Sequence, residues 1–253
     1  MLPTAVATVT TILSLAGLGY YLLALWSARA FQHQLRRPLP DFQPGVSILK
    51  PVKGLDPEMY ASFASHCLQQ YQGPYEILFG VSTMEDPAVT AIERLKAEFP
   101  QHTIRLVLCP ELLGANGKVS NLVQMLGSAQ YDYILINDSD IKVSRNYLRR
   151  IMGCFHQAKR RGGQVGLVTA LYRGKAHRTI GSRMEALGIA TDFIAGVLTA
   201  RQIEGGIHFG LGSTLAISRQ ALGRSAALSR WSTIWRTTMS WARAYPVTVS
   251  KWF

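Results

Sequence analysis

No charged residue occurs between Met1 and Ala28. That single fact leaves the start of the chain few fates, because about 20 consecutive apolar residues suffice to span a bilayer as a helix. Leu, Ala, Val, Ile and Tyr dominate the run, and Gly17, Gly19 and its threonines are all tolerated in such helices. Tyr20, Tyr21 and Trp26 fall near its end, where an aromatic belt would sit, and Arg29, Arg36 and Arg37 follow. The positive-inside rule places that basic flank, and the chain beyond it, in the cytoplasm. A cleaved signal peptide would need a basic start and a shorter apolar core. The segment therefore reads as a transmembrane anchor over residues 1–28, single-pass, with a cytoplasmic domain behind it. A linker over 29–45 separates the two, since Pro38, Pro40, Pro44 and Gly45 stop any helix.

The remaining length holds one sizeable domain. A formal net charge of +12 fits nucleic acid, anionic lipid or a phosphorylated small molecule as a partner. The basic residues form no long block, and neither a zinc finger nor an RNP sequence is present, so nucleic acid is set aside. Cys67, Cys109 and Cys154 lie far apart. They suggest reduced thiols rather than a zinc site or a disulfide framework.

From Val46 the hydrophobic pattern alternates between strand and helix. Strands are predicted at Val46–Lys50, Tyr75–Ser82, Ile104–Leu108, Tyr133–Asn137 and Gly166–Tyr172. Helices are predicted at Met59–Gln70, Pro87–Phe99, Lys118–Ala129 and Tyr147–Lys159. Within Pro87–Phe99, for example, Val89, Ile92, Leu95 and Phe99 share one helical face. The alternation argues for an α/β domain with a mainly parallel sheet, whose ligands bind beyond the carboxyl ends of the strands.

Four stretches stand at those ends. Asp138-Ser139-Asp140 follows the apolar strand YILIN. Two carboxylates one residue apart can hold a hard divalent cation, Mg²⁺ or Mn²⁺, that bridges diphosphate oxygens; the plain alternative is an Asx turn. Asp86 precedes Pro87, which fits a helix cap as well as a contact to ribose or base. Gly114 to Asn121 runs a glycine-containing loop into a helix. Its backbone amides and Lys118 suit a phosphate, although GxxxxGK[ST] is not matched. Lys50 and Lys53 close the first strand, where they could meet a diphosphate or form a solvated basic turn. His208, a lone histidine, receives no role.

Taken in order, VSILKPVKGLDP, EDPA, GANGKVSNL, INDSDIKV, GLVTALYRG and FGLGSTLAISRQAL resemble the ceramide glucosyltransferase family, glycosyltransferase family 21. They resemble still more its bacterial relatives associated with hopanoid biosynthesis. The likeness covers residues 46–222. It implies a GT-A fold, a UDP-sugar donor, a divalent cation, inversion at the anomeric carbon, and a lipid acceptor (hopanoid or ceramide-like) taken at the cytosolic face of the inner membrane. The sugar, glucose or N-acetylglucosamine, is left open. By motif, Asp138 and Asp140 would hold the metal, with Asp138 also on the donor side. Asp86 would contact the nucleotide, and Lys50, Lys118 and Asn121 would lie at the donor. Gly210, Gly212, Ser213 and Thr214 would line the acceptor side. A polysaccharide synthase-like transferase sharing the same core is the alternative, disfavoured by KPVKG and DSDIKV. A further alternative is a membrane protein that keeps only the donor-binding fold.

After Leu222 the likeness fails. The family continues with an acidic EDY- or DDY-like stretch, whose aspartate is the general base, and then QxxRW. Here residues 223–253 contain no Asp or Glu and four of the five tryptophans. Thr237 to Trp241 echoes QxxRW poorly. Reading Trp231–Arg243 from the third base of the Trp231 codon permits VDYLADDYELGA, the continuation the family would have. The expectation is a frameshift near residue 223, leaving an incomplete transferase domain (46–222) with an aberrant tail and without its catalytic base; the alternative is a divergent Trp- and Arg-rich membrane-surface helix, although the apolar positions hold no clean helical period.

Overall fold

The computed structural model describes residues 2–56, 58–160, 166–207, 209–224 and 247–251. His208 and residues 225–246, which include Trp231–Arg243 and the Thr237–Trp241 echo, lie outside them. The chain divides into two compact units, one of residues 1–38 with 173–207 and one of residues 39–172 with 208–253.

The larger unit is built on a seven-stranded sheet. Its strands are β1 (Val46–Pro51), β2 (Tyr75–Val81), β3 (Thr103–Leu108), β4 (Tyr133–Asn137), β5 (Leu167–Leu171), β6 (Thr214–Ser218) and β7 (Val247–Lys251), in the spatial order β3-β2-β1-β4-β6-β5-β7. β3, β2, β1 and β4 run parallel to one another, β6 runs antiparallel between β4 and β5, and β7 pairs parallel with β5. The mainly parallel sheet expected from the alternation is present. The strand borders fall within a residue or two of those predicted.

Both faces of the central strands are covered, which is why they read as unbroken apolar runs rather than alternating ones. Successive side chains leave a strand on opposite faces. Val46, Ile48, Ile77, Phe79 and Leu135 pack against Met59 and Phe63 of α2 (Met59–Cys67), Ile92 and Leu95 of α3 (Ala88–Glu98), and Tyr147, Leu148, Ile151 and Met152 of α5 (Tyr147–Arg160). On the other face lies α4 (Gly117–Ser128), which buries Val119, Leu122, Met125 and Leu126. A Cβ on Gly80 would stand 2.3 Å from the Met125 sulfur, so glycine there lets α4 settle onto β2.

Glu76 is wholly buried on this α4 face. Its carboxylate accepts from Ser47 Oγ at 2.6 Å, from the Gln130 amide at 2.7 Å and from Arg105 Nη2 at 2.7 Å. One charge thereby joins β1, β2, β3 and the turn into β4, with its lone pairs filled as a buried carboxylate requires.

The smaller unit is helical. α1 (Leu2–Leu35) is joined by α6 (Ile180–Gly188) and α7 (Ile194–Ile203), which a π-helical turn at Ile189–Phe193 makes into one continuous rod. Residues Pro3–Leu35 and Ile180–Ile203 are each long and apolar enough to cross a membrane. The threonines of α1 satisfy their hydroxyls within the helix: Thr8, Thr10 and Thr11 donate to the carbonyls of Thr4, Val6 and Ala7 at 2.9, 3.0 and 2.8 Å. The end of α1 packs on α7. Phe31 is buried, the Arg201 guanidinium lies 5.2 Å from its ring centroid, and Arg201 also bonds the Gln34 side chain.

Candidate active site

The carboxyl ends of β1, β2 and β4 open on the same edge of the sheet, and the return into β6 begins there. β4 delivers Asn137 as its last residue, so Asp138 and Asp140 emerge directly from a buried strand. The amide of Asp138 donates to the Ser213 carbonyl at 3.3 Å. Lys118, from the first turn of α4, places its ammonium against Asp138 Oδ1 and 3.5 Å from the Gly212 carbonyl. Two stretches of chain far apart in sequence, 118 to 140 and 210 to 214, therefore meet around one carboxylate. The sequence reading put Lys118 and Asp138 on the donor side and Gly212, Ser213 and Thr214 on the acceptor side; the structure brings both groups together.

Lys50 lies beneath the site. It is wholly buried, and its ammonium donates to the Asp138 main-chain carbonyl at 2.7 Å. In this arrangement Lys50 holds the loop from below rather than presenting itself to a ligand. Burial pulls its pKa down to about 7 against the opposing attraction of Asp138 and Asp140.

Asp86 ties two loops. Its carboxylate accepts from the Gly54 amide through both oxygens, at 3.1 and 3.0 Å, and its Oδ1 also accepts from the Ala88 amide at 2.9 Å. Gly54 has φ of +70°, a left-handed conformation that glycine adopts without strain. The expected capping role at the start of α3 is thus accompanied by a bond to the loop after β1. Asn116 caps α4, its side chain accepting from the Val119 amide at 3.3 Å. Asn121 is buried and accepts from Ser82 Oγ at 3.2 Å, fastening α4 to the end of β2. Asp140 is exposed. A Cβ at Gly210 would lie 2.9 Å from the Leu215 Cδ2 methyl, which would have to shift to admit it.

Asp138 and Asp140 supply hard oxygen donors, the type suited to Mg²⁺ or Mn²⁺. Among the described residues no group of three or more His, Cys, Asp or Glu could hold a metal ion. Two carboxylates do not fill a coordination sphere, so a cation held there would need further oxygen ligands, such as phosphate and water.

Sequence reading missed the polar cluster beneath the loop. Asn137, fully buried, donates through Nδ2 to Thr214 Oγ1 at 2.8 Å and accepts from the Tyr147 hydroxyl at 2.9 Å. Thr169 donates to the Thr214 carbonyl at 2.8 Å and accepts from the Leu211 amide at 2.9 Å. An asparagine closing an otherwise apolar strand was a legible sign of this cluster; Tyr147 and Thr169 carried none.

The chain is similar to known proteins in sequence and in fold. The sequence model described as glycosyl transferase family 21 matches residues 9–237. Ceramide glucosyltransferase 3 of Caenorhabditis elegans is 31% identical over 139 residues, which are 53% of this chain and 30% of that protein. The ceramide glucosyltransferase of Komagataella phaffii is 31% identical over 132 residues, 51% of this chain and 26% of that one. The chain thus spans less than a third of the length of these curated relatives. Among solved structures, the mannosyltransferase PcManGT of Pyrobaculum calidifontis, in complex with GDP-Man and Mn²⁺, superposes with a TM-score of 0.57 at 16% identity, covering 92% of this chain and 64% of that one. Residues 1–349 of S. aureus TarS superpose with a TM-score of 0.52 at 11% identity, covering 82% and 59%. The fold is GT-A.

Proposed function

The chain belongs to glycosyl transferase family 21, and from that premise we propose that it binds a UDP-sugar and serves transfer of the hexose to a lipid hydroxyl at the cytosolic face of the inner membrane. A hopanoid or a ceramide-like lipid is the acceptor class, as the resemblance of its motifs implies. One observation carries the reading: Asp138, Lys118 and the Gly212–Thr214 loop converge at the carboxyl edge of the sheet. In open α/β sheets that edge is where ligands bind.

Each group has work suited to its chemistry. Asp138 and Asp140 would hold a divalent cation, which neutralises negative charge on a departing diphosphate. Lys118 offers an ammonium at the start of a helix, where unpaired backbone amides also favour phosphate. Its present partner is Asp138, so a diphosphate would share or take over that ammonium. Asp86 keeps lone pairs beyond its bonds to Gly54 and Ala88, and so can accept from a ribose hydroxyl or a base. Lys50 fixes the Asp138 main chain, which keeps the carboxylate aimed before any ligand arrives; preorganisation of this kind is a large part of electrostatic catalysis. The Asn137 cluster holds Thr214, and with it the acceptor-side loop, in register with β4.

The test is calorimetric titration of UDP into the full chain, with and without Mn²⁺, alongside Asp140→Ala. Binding that depends on the metal and is lost in the variant is the expected result. Equal binding by both proteins would remove the assignment of Asp140, and binding by neither would remove the donor site itself.

A further inference from the structure

The rod formed by α6, the π-helical turn and α7 has a one-sided apolar surface that the donor chemistry does not use. Ile180, Met184 and Leu187 are 79%, 63% and 55% exposed. Their spacing of four and three residues sets them in one stripe of the helix. No residue of α6 is buried. Arg178 and Arg183, both exposed, flank the start of the stripe. Glu185, the one acidic residue of α6, falls one position past Met184, about 100° around the helix.

Length and composition would let this rod cross a bilayer, but its charges oppose that. Arg183, Glu185, Asp192 and Arg201 lie within Ile180–Ile203, and charged side chains at bilayer depth are costly. A stripe of large apolar side chains with cations on its margin is instead the pattern of a helix lying in the membrane interface. The rod also belongs to the same compact unit as α1, whose large side chains from Val6 to Trp26 are exposed along its length. α7 packs along α1, and a Cβ added at Gly196 would lie 3.9 Å from the Tyr20 hydroxyl, at the end of α1 where an aromatic belt would sit. The rod therefore lies against α1 through α7.

We infer that residues 180–203 form an interfacial helix that lays Ile180, Met184 and Leu187 into an anionic leaflet, with Arg178 and Arg183 at the headgroups. The occupant of the stripe is lipid, chosen by that charge and by the packing of the same rod on α1. The inference accompanies the reading of α1 as an anchor without depending on it, and the experiment separates the two.

The full chain carrying Cys154→Ser, which leaves only the buried Cys67 and Cys109, receives a single cysteine labelled with an environment-sensitive fluorophore. The positions are Met184→Cys, Leu187→Cys, Glu185→Cys as an off-stripe site, and Leu13→Cys in α1. The proteins are placed in nanodiscs of phosphatidylcholine with or without phosphatidylglycerol, containing lipids spin-labelled near the headgroup or deep in the chain. Labels at 184 and 187 should lose emission to the shallow quencher, more so with phosphatidylglycerol, while the label at 185 does not. Arg178→Glu with Arg183→Glu should abolish the dependence on phosphatidylglycerol. Deep quenching at Leu13 with none at 184 and 187 would overturn the interfacial helix and leave the anchor standing. Quenching at 184 and 187 without any at Leu13 would uphold the helix and remove the anchor. Energy transfer between copies in place of quenching would show that a second chain covers the stripe, and would also overturn it.

Discussion

At the scale of the residue, the buried polar groups behind Asp138 are the sharpest points of control. The Tyr147 hydroxyl, fully buried, donates to Asn137 Oδ1. Tyr147→Phe leaves that acceptor unpaired in the interior and should lower unfolding free energy by about 1–2 kcal/mol, read as an earlier urea midpoint at unchanged slope. His66 makes a second case. Its Nδ1 lies 2.9 Å from the Ser62 carbonyl, so that nitrogen carries the proton, and buried Nε2 meets no donor among the described residues. Burial, reinforced by the charge of Lys50, holds its pKa well below 6.5. The unfolded chain then binds a proton that the folded chain refuses. Stability is fully present above about pH 6.5 and falls as the pH drops below it, by at most about 1.4 kcal/mol per unit. Denaturant midpoints measured from pH 7 to 5 should show this fall, and His66→Gln should flatten that part of the curve.

At the scale of the element, the strands and helices of the larger unit could be read because their apolar periods are unambiguous. YILIN contains four apolar residues and one polar end, and β4 occupies the residues predicted for it, Tyr133–Asn137. Met59–Gln70 was drawn three residues too long, because helix ends leave a weak mark where no glycine or proline closes them. Two features could not be read. The rod at Ile180–Ile203 was hidden by Arg183, Glu185 and Asp192, which break an apolar run without breaking a helix. The antiparallel insertion of β6 between β4 and β5 depends on pairing distant in sequence, which no local pattern encodes. At the site, Asp138 and Lys118 were legible from motif and position. The placement of Lys50 beneath the loop was not, because a lysine at a strand end looks the same in sequence whether it faces solvent or core. Glu76 was missed for the same reason, and it gives the element-scale prediction. Glu76→Ala removes the carboxylate partner of Arg105, which keeps its bond to the Ser128 carbonyl, and leaves Ser47 Oγ and the Gln130 amide without their acceptor. It should cost about 3 kcal/mol or more, whereas Glu76→Gln, which keeps an acceptor oxygen, should cost less. Thermal unfolding of the two variants side by side checks the order.

At the scale of the whole molecule, the chain joins a GT-A sheet to a helical unit with a long apolar surface. α1 has 34 residues, about 51 Å of helix at 1.5 Å per residue. That exceeds the roughly 30 Å hydrocarbon thickness of a bilayer. The full chain should accordingly remain in the membrane pellet after alkaline carbonate extraction and leave it only with detergent; recovery in the carbonate supernatant would refute the anchor. The path of the backbone adds a constraint in time. Everything from Arg173 to Ile207 is synthesised after β5 and before β6, yet β6 must slot between β4 and β5 to bring Ser213 and Thr214 to Asp138. Since chains begin to fold from the N-terminus as they leave the ribosome, the helical insert has emerged before the sheet can close. If that insert enters lipid as proposed, it does so early, and the strand that completes this edge of the sheet arrives on a chain already moored.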